Sequence, residues 1–206
     1  MVAMKLPRIV QAGDPVLRTP AAPVPPEMIG TKKLKDLVAT MIEVMRKAPG
    51  VGLAAPQIGV GLQLIVLEDS DALMGKLTPE DREVRGRVPF PLMAIVNPTL
   101  KSMGGSLASP GGAGRATFFE GCLSVTGYMA LVERDLRVEV TGLDPAGDPV
   151  SWTAEGWPAR ILQHEVDHVN GRLYVDRMLS RSLCSNEEAR RWIDKPVAEV
   201  RAALGV

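Results

Sequence analysis

The sequence contains two histidines, and both fall in one six-residue window, Gln163-His164-Glu165-Val166-Asp167-His168. At i and i+4 they share one face of an α-helix, about one turn apart. Two neutral imidazoles so placed can grip a single metal ion, and Glu165 stands where it can act on a water at that metal. The chemistry indicated is metal-assisted hydrolysis. The helix positions Ile161, Leu162, Val166 and Val169 are apolar, so the helix is expected to be buried. A buried pair of imidazoles without a shared ion is costly.

A catalytic metal usually takes three protein ligands, and the window supplies two. One source for the third is Glu187 or Glu188, downstream at about the distance expected of a zinc endopeptidase. The other is Cys122, upstream in Glu120-Gly121-Cys122-Leu123-Ser124. A thiolate binds divalent transition metals strongly, although a lone cysteine is equally at home as a small core residue. A purely structural zinc site fits less well, because it has no use for a general base beside its ligands.

These residues need elements to carry them. In residues 31–47, Leu34, Leu37, Val38, Met41, Ile42 and Met45 recur in steps of three and one, which predicts an amphipathic helix ended by Pro49-Gly50. A small, glycine-rich stretch follows, then an apolar strand at 62–67. Residues 69–91 read as a long polar loop with room for a short helix, and 92–96 as a strand stopped by Asn97-Pro98. Residues 101–115, rich in Gly, Ser, Ala and Pro, read as a flexible surface insertion. Strands are expected at 116–119, 129–132, 136–143 and 150–154. The metal helix runs from Trp157-Pro158 to the cap pair Asn170-Gly171. Ser185-Asn186-Glu187-Glu188 opens a last helix through Trp192, and Pro196 interrupts it. The fold class expected is α+β: one domain over 1–206, with antiparallel or mixed sheets around a central metal-binding helix. The C-terminal extension, 179–206, is a dimer contact, a partner-docking helix or, most simply, a helix packed on its own domain.

Hydrophobic residues make up 46% of the chain and charged residues 23%, with zero net charge. That balance gives no electrostatic footprint for nucleic acid or for an anionic membrane. No apolar run approaches the roughly 20 residues of a membrane span. Two cysteines make no disulfide framework, so a reducing compartment is expected. Residues 1–10 lack a secretory-signal pattern, and a transit sequence ahead of them is compatible with the chain.

Three separated segments belong together: Gly50-Val51-Gly52-Leu53-Ala54-Ala55-Pro56-Gln57, Glu120-Gly121-Cys122-Leu123-Ser124 and Gln163-His164-Glu165-Val166-Asp167-His168. Their combination resembles peptide deformylase, a family with GxGxAAxQ, EGCLS and QHExDH segments in this order and at about these spacings. All three match at their defining positions, and the resemblance runs from Ile9-Val10 to about Met178. It implies that Cys122, His164 and His168 bind Fe2+, with Zn2+, Ni2+ or Co2+ able to replace it, and that Glu165 is the general acid/base. Gln57 and the backbone N–H of Leu123 would stabilise the oxyanion. Val51, Gly52 and Gly121 would pair their backbone with the substrate, and Trp157, a turn or so before His164, is a candidate wall of the first side-chain pocket. The implied reaction removes the formyl group from N-formyl-methionyl nascent peptides and releases formate. The implied partners are those peptides, the ribosome that presents them and a second copy of the chain.

Ala48-Pro49-Gly50-Val51-Gly52, Val66-Leu67-Glu68-Asp69 and the run from Gly156 to His164 are similar to the organellar branch. This implies a mitochondrion or chloroplast in a eukaryote and the cytoplasm in a bacterium. One departure stands out. Many bacterial members have an arginine seven residues after the cysteine, where this chain has Met129, so no charge partner for Glu120 is identified.

Overall fold

The structure, a computed structural model, describes residues 6–75, 77–104 and 114–206. Helix α1 (Lys32–Lys47) forms where the three-and-one spacing places it. Thr31 caps it by accepting from the Leu34 N–H at 3.3 Å, and its inner face buries Leu34, Val38, Met41, Val44 and Met45. Next comes β1 (Gly52–Ala54), a strand too short to show a period and not expected from the sequence. A 3-10 turn, Ala55–Ile58, carries Gln57. Strand β2 (Leu64–Asp69) is buried along nearly its whole length.

The expected loop at 69–91 holds two short helices, α2 (Asp71–Met74) and α3 (Pro79–Arg85). The signal for α3 was present in Thr78-Pro79-Glu80-Asp81: Thr78 and Asp81 bond each other's backbone N–H, a capping box. Strand β3 (Phe90–Ser102) does not stop at Asn97-Pro98. The register shifts between Val96 and Thr99, and Asn97 takes a positive φ of 52°, so a bulge absorbs the proline and the ladder resumes. The Asn97 side chain accepts from the Val24 N–H at 2.8 Å and donates to its carbonyl at 3.1 Å.

Strand β4 (Arg115–Cys122) and β5 (Val125–Asp135) form a long hairpin, followed by β6 (Arg137–Leu143) and β7 (Pro149–Glu155). The insertion expected at 101–115 is strand at both rims, in β3 and β4, and its centre, 105–113, lies outside the described residues. Helix α4 (Trp157–Val169) is the predicted metal helix. The last segment makes β8 (Cys184–Ser185), α5 (Asn186–Ala189) and α6 (Val197–Leu204). Helix α5 opens at the expected Ser185 cap but ends well before Trp192, giving way to turns.

A five-stranded sheet has the order β1-β2-β3-β6-β7 and a three-stranded sheet the order β4-β5-β8, with every strand pair antiparallel. The fold class is α+β, as expected. Helix α4 packs against strands of both sheets, burying Ile161, Leu162, Val166 and Val169 on Ile65, Leu67, Ile95 and Val140. Helix α1 covers the β1–β2 end through a second apolar cluster. Two strands consequently lie at sheet edges on either side of α4: β1 in one sheet and β4 in the other.

Candidate active site

Helix α4 delivers His164, Glu165 and His168 from its C-terminal half. Cys122 comes from the end of β4, where the pairing jumps from Gly121↔Met129 to Cys122↔Val125. Such a bulge re-aims a side chain. The following turn is tied down by the N-terminal segment: Gln11 donates to the Leu123 carbonyl at 2.9 Å and accepts from the Thr126 hydroxyl at 2.8 Å. Ser124 accepts the Ala12 N–H at 2.7 Å on its carbonyl.

The Cys122 Sγ and one ring nitrogen each of His164 and His168 all lie within 4.8 Å of one another. His168 is fully buried, and its Nε2 is 3.2 Å from the sulfur. His164 Nδ1 lies 3.1 Å from Glu120 Oε2, which leaves Nε2 for the cluster. A ligating histidine is usually oriented this way, by a carboxylate on its far nitrogen. A thiolate with two imidazoles suits a divalent transition metal, so the donor set fits one. Glu187 and Glu188 sit on α5, exposed, with Glu188 bonded to Arg191 at 2.7 Å, and neither joins the cluster.

Glu165 is buried, and burial pushes its carboxyl up to about 7. Its Oε2 has no hydrogen-bond partner among the described residues. The carboxylate lies against Gly52: a Cβ there would be 2.7 Å from Cδ and 2.9 Å from Cγ of Glu165, and closer still to Oε1. A side chain at 52 is therefore excluded by the Glu165 carboxylate itself, apart from the close approach of a substrate that the sequence suggests. Gly121 differs, since a Cβ there would meet Met129 at an ordinary 3.4 Å.

Gln57 is buried beside the sulfur. Its Oε1 accepts the Ala54 N–H at 2.8 Å, which turns the amide nitrogen toward Ser124 Oγ at 3.3 Å and Cys122 Sγ at 3.7 Å. Val51, Gly52, Gln57, Gly121, Leu123 and Trp157 all line one cavity of about 490 Å³ that reaches Cys122, His164 and Glu165. Trp157 lies nearly two turns from His164, farther than the single turn expected. The Trp157 N–H bonds the Gly86 carbonyl at 3.2 Å, and the Arg85 and Arg87 guanidinium groups stand 5.5 and 5.6 Å from its ring.

Sequence reasoning missed the charges behind the ligands. Glu120 accepts from Arg134 twice, each at 2.9 Å, and from Arg160 at 2.6 Å. Arg134 also bonds Asp167, which Arg177 grips twice at 2.7 Å. Burial works against the charge on Glu120, yet bonds from His164 and Arg134 hold its carboxyl well below the usual range. Arg160, brought down to about 10 by burial, also donates to the carbonyls of Val132 and Ala116. An arginine at i−4 from His164, inside an apolar helix face, was the available signal.

A Cys/His/His group that could hold a metal ion, beside a buried carboxylate, is the donor set expected of a metal-dependent hydrolase. A sequence model of the polypeptide deformylase family matches residues 6–183. The chain is 47% identical over 201 residues to the chloroplastic peptide deformylase 1A of Solanum lycopersicum, covering 98% of this chain and 68% of that protein. It is 48% identical over 198 residues to peptide deformylase 3 of Streptomyces avermitilis, covering 96% and 83%, and 45% identical over 174 residues to the mitochondrial peptide deformylase of Homo sapiens, covering 84% and 68%. Among solved structures, a Met-Ala-Ser-bound class I type b peptide deformylase from Acinetobacter baumannii superposes with a TM-score of 0.72 at 29% identity, over 85% of this chain and all of that one. A peptide deformylase from Legionella pneumophila superposes with a TM-score of 0.68 at 35% identity, over 96% and 98%. The chain belongs to the polypeptide deformylase family and is an enzyme of that class. Organellar and bacterial relatives both stand close to it.

Proposed function

We propose that this chain hydrolyses the formyl group of N-formyl-methionyl peptides, with a divalent transition metal on Cys122, His164 and His168 and with Glu165 as general acid/base. One observation carries the reading: three side-chain atoms able to bind a metal lie within 4.8 Å of one another, beside a buried carboxyl. A metal held there lowers the pKa of a bound water and polarises the formyl oxygen. By the family resemblance that metal is Fe2+, with Zn2+, Ni2+ or Co2+ able to replace it.

The chain's own residues do the rest. Water adds to the formyl carbon, and the C–N bond to the peptide nitrogen breaks. Glu165 takes the proton from the water and gives it to the departing amine, so formate and a free N-terminus leave together. A carboxyl poised near neutrality suits both transfers. The Gln57 amide, turned inward by its bond to Ala54, and the Leu123 N–H would donate to the developing oxyanion. Peptide entry is supported by topology, because β1 and β4 each present a sheet edge on the cavity through Val51, Gly52 and Gly121. An extended substrate can add to such edges by main-chain bonds. Trp157 would form one wall of the first side-chain pocket.

The test is formate release from a formyl-Met peptide by anaerobically purified protein with its metal content measured. Glu165→Gln should keep the metal and lose formate release. Cys122→Ala should lose the metal, whereas Glu187→Gln with Glu188→Gln should keep it. A metal-loaded wild type that releases no formate would overturn the reading.

A further inference from the structure

The family match ends at residue 183, and the chain continues for another turn-rich stretch and a helix. That stretch is built into the molecule. Strand β8 pairs with β5, and Val200 of α6 is buried with Phe119 and Leu131. In the turns between α5 and α6, Ile193 lines the catalytic cavity. Its carbonyl accepts from Arg85 at 3.2 Å, and the same guanidinium lies over Trp157. The tail is thus fastened to the candidate side-chain wall by its backbone as well as by its apolar face.

Behind this wall lies a second cavity of about 320 Å³, between α3 and α6. Arg85, Phe119 and Ile193 line both cavities, which places these three residues between them. Phe119 is fixed in the β4 ladder opposite Leu131, and Arg85 is fixed by the Ile193 carbonyl and by Trp157. Ile193, in the turns, is the one of the three that lies beyond the residues matched by the family model. Trp157 stands seven residues before His164 on α4, about 10 Å along the axis. The side chain that follows the formyl group leaves from an atom only two bonds from the reacting carbon, so its far end is the part that comes toward this wall.

We propose that Ile193 is a specificity-determining residue: it ends the first side-chain pocket and sets the length of side chain accepted there. The inference rests on the deformylase reading above. Removing its branched side chain lengthens the pocket toward the second cavity; enlarging it shortens the pocket. A methylene more or less in an apolar pocket changes discrimination by about tenfold or more.

The experiment compares kcat/KM for formyl-Met-Ala-Ser with the same peptide carrying 2-aminooctanoate, longer and unbranched, or norvaline, shorter, in place of methionine. Each ratio is taken on one preparation, so a partly folded or partly loaded sample cancels. In Ile193→Ala the ratio of 2-aminooctanoate to methionine should rise about tenfold, mainly through KM. In Ile193→Trp the ratio of methionine to norvaline should fall by a similar factor. Ratios within twofold of wild type in both variants would overturn the inference while leaving the reaction intact. A metal-loaded wild type that releases no formate from any of the peptides would overturn both.

Discussion

Gly52→Ala tests the link between the β1 strand and Glu165, the proposed general acid/base. The added methyl would lie 2.7 Å from Cδ and 2.9 Å from Cγ of Glu165, where carbon atoms ordinarily rest about 3.5–4 Å apart. One side must give by about 1 Å. The strand is the stiffer side, since Gly52 pairs with Leu67, and Leu53 and Ala54 after it are fully buried. The carboxylate moves instead, off its rotamer at a cost of about 1 kcal/mol. Overpacking brings the stability loss to about 1–3 kcal/mol, a modest lowering of Tm. The catalytic loss should be larger, because a displacement of about 1 Å at a reacting group costs on the order of a hundredfold. The three atoms nearest the new methyl all belong to Glu165 and none to Cys122, His164 or His168. Thermal unfolding, metal analysis and steady-state formate release on one preparation should therefore show near-full metal content, a folded protein and kcat down about a hundredfold. A folded, loaded variant with kcat within threefold of wild type would refute the claim that Glu165 acts from this position.

Further outcomes follow from neighbouring geometry. Glu120→Gln removes the only carboxylate that binds Arg160 at hydrogen-bond distance among the described residues, and should destabilise the fold by about 3–5 kcal/mol by leaving buried guanidinium charge unmatched. It should also weaken metal retention about 10–100-fold, because His164 loses its orienting partner; unchanged Tm and metal content would contradict both. Gly121→Ala meets only ordinary contacts, so Tm should hold while KM for a peptide rises, and an unchanged KM would remove β4 from the substrate-binding surface. Enzyme loaded with iron should lose activity in air as the metal and then the partly exposed Cys122 sulfur are oxidised, whereas nickel-loaded enzyme should persist; equal half-lives under air would count against a thiolate ligand.

What could be read from the sequence was local. The α4 boundaries, the histidine pair and the Ser185 cap each depend on spacings of a few residues, and the structure has them close to where they were expected. Cys122 was a candidate on its chemistry but was preferred to Glu187 and Glu188 only through a family pattern, because its approach depends on a bulge and on Gln11, more than a hundred positions away. Short elements without a period, β1 and α2 among them, were invisible for the same reason.

The charge network shows most clearly why the remainder was hidden. Its bonds join Glu120 to Arg134, Arg160 and His164 across 14, 40 and 44 positions, and Arg134 to Asp167 across 33. With Met129 in place of an arginine, the sequence offers no nearby cation for Glu120, and a buried unmatched carboxylate beside a metal centre would be untenable. The fold resolves this from two directions at once. Strand β5 contributes Arg134, and α4 contributes Arg160 from the turn before His164. Arg134 bonds the carboxylate that orients His164 and also Asp167, the residue next to His168. A single buried guanidinium thereby braces the surroundings of both histidines. Shortening it in Arg134→Lys, which keeps the charge but not the fork, should loosen both histidines together and reduce metal affinity more than it reduces Tm.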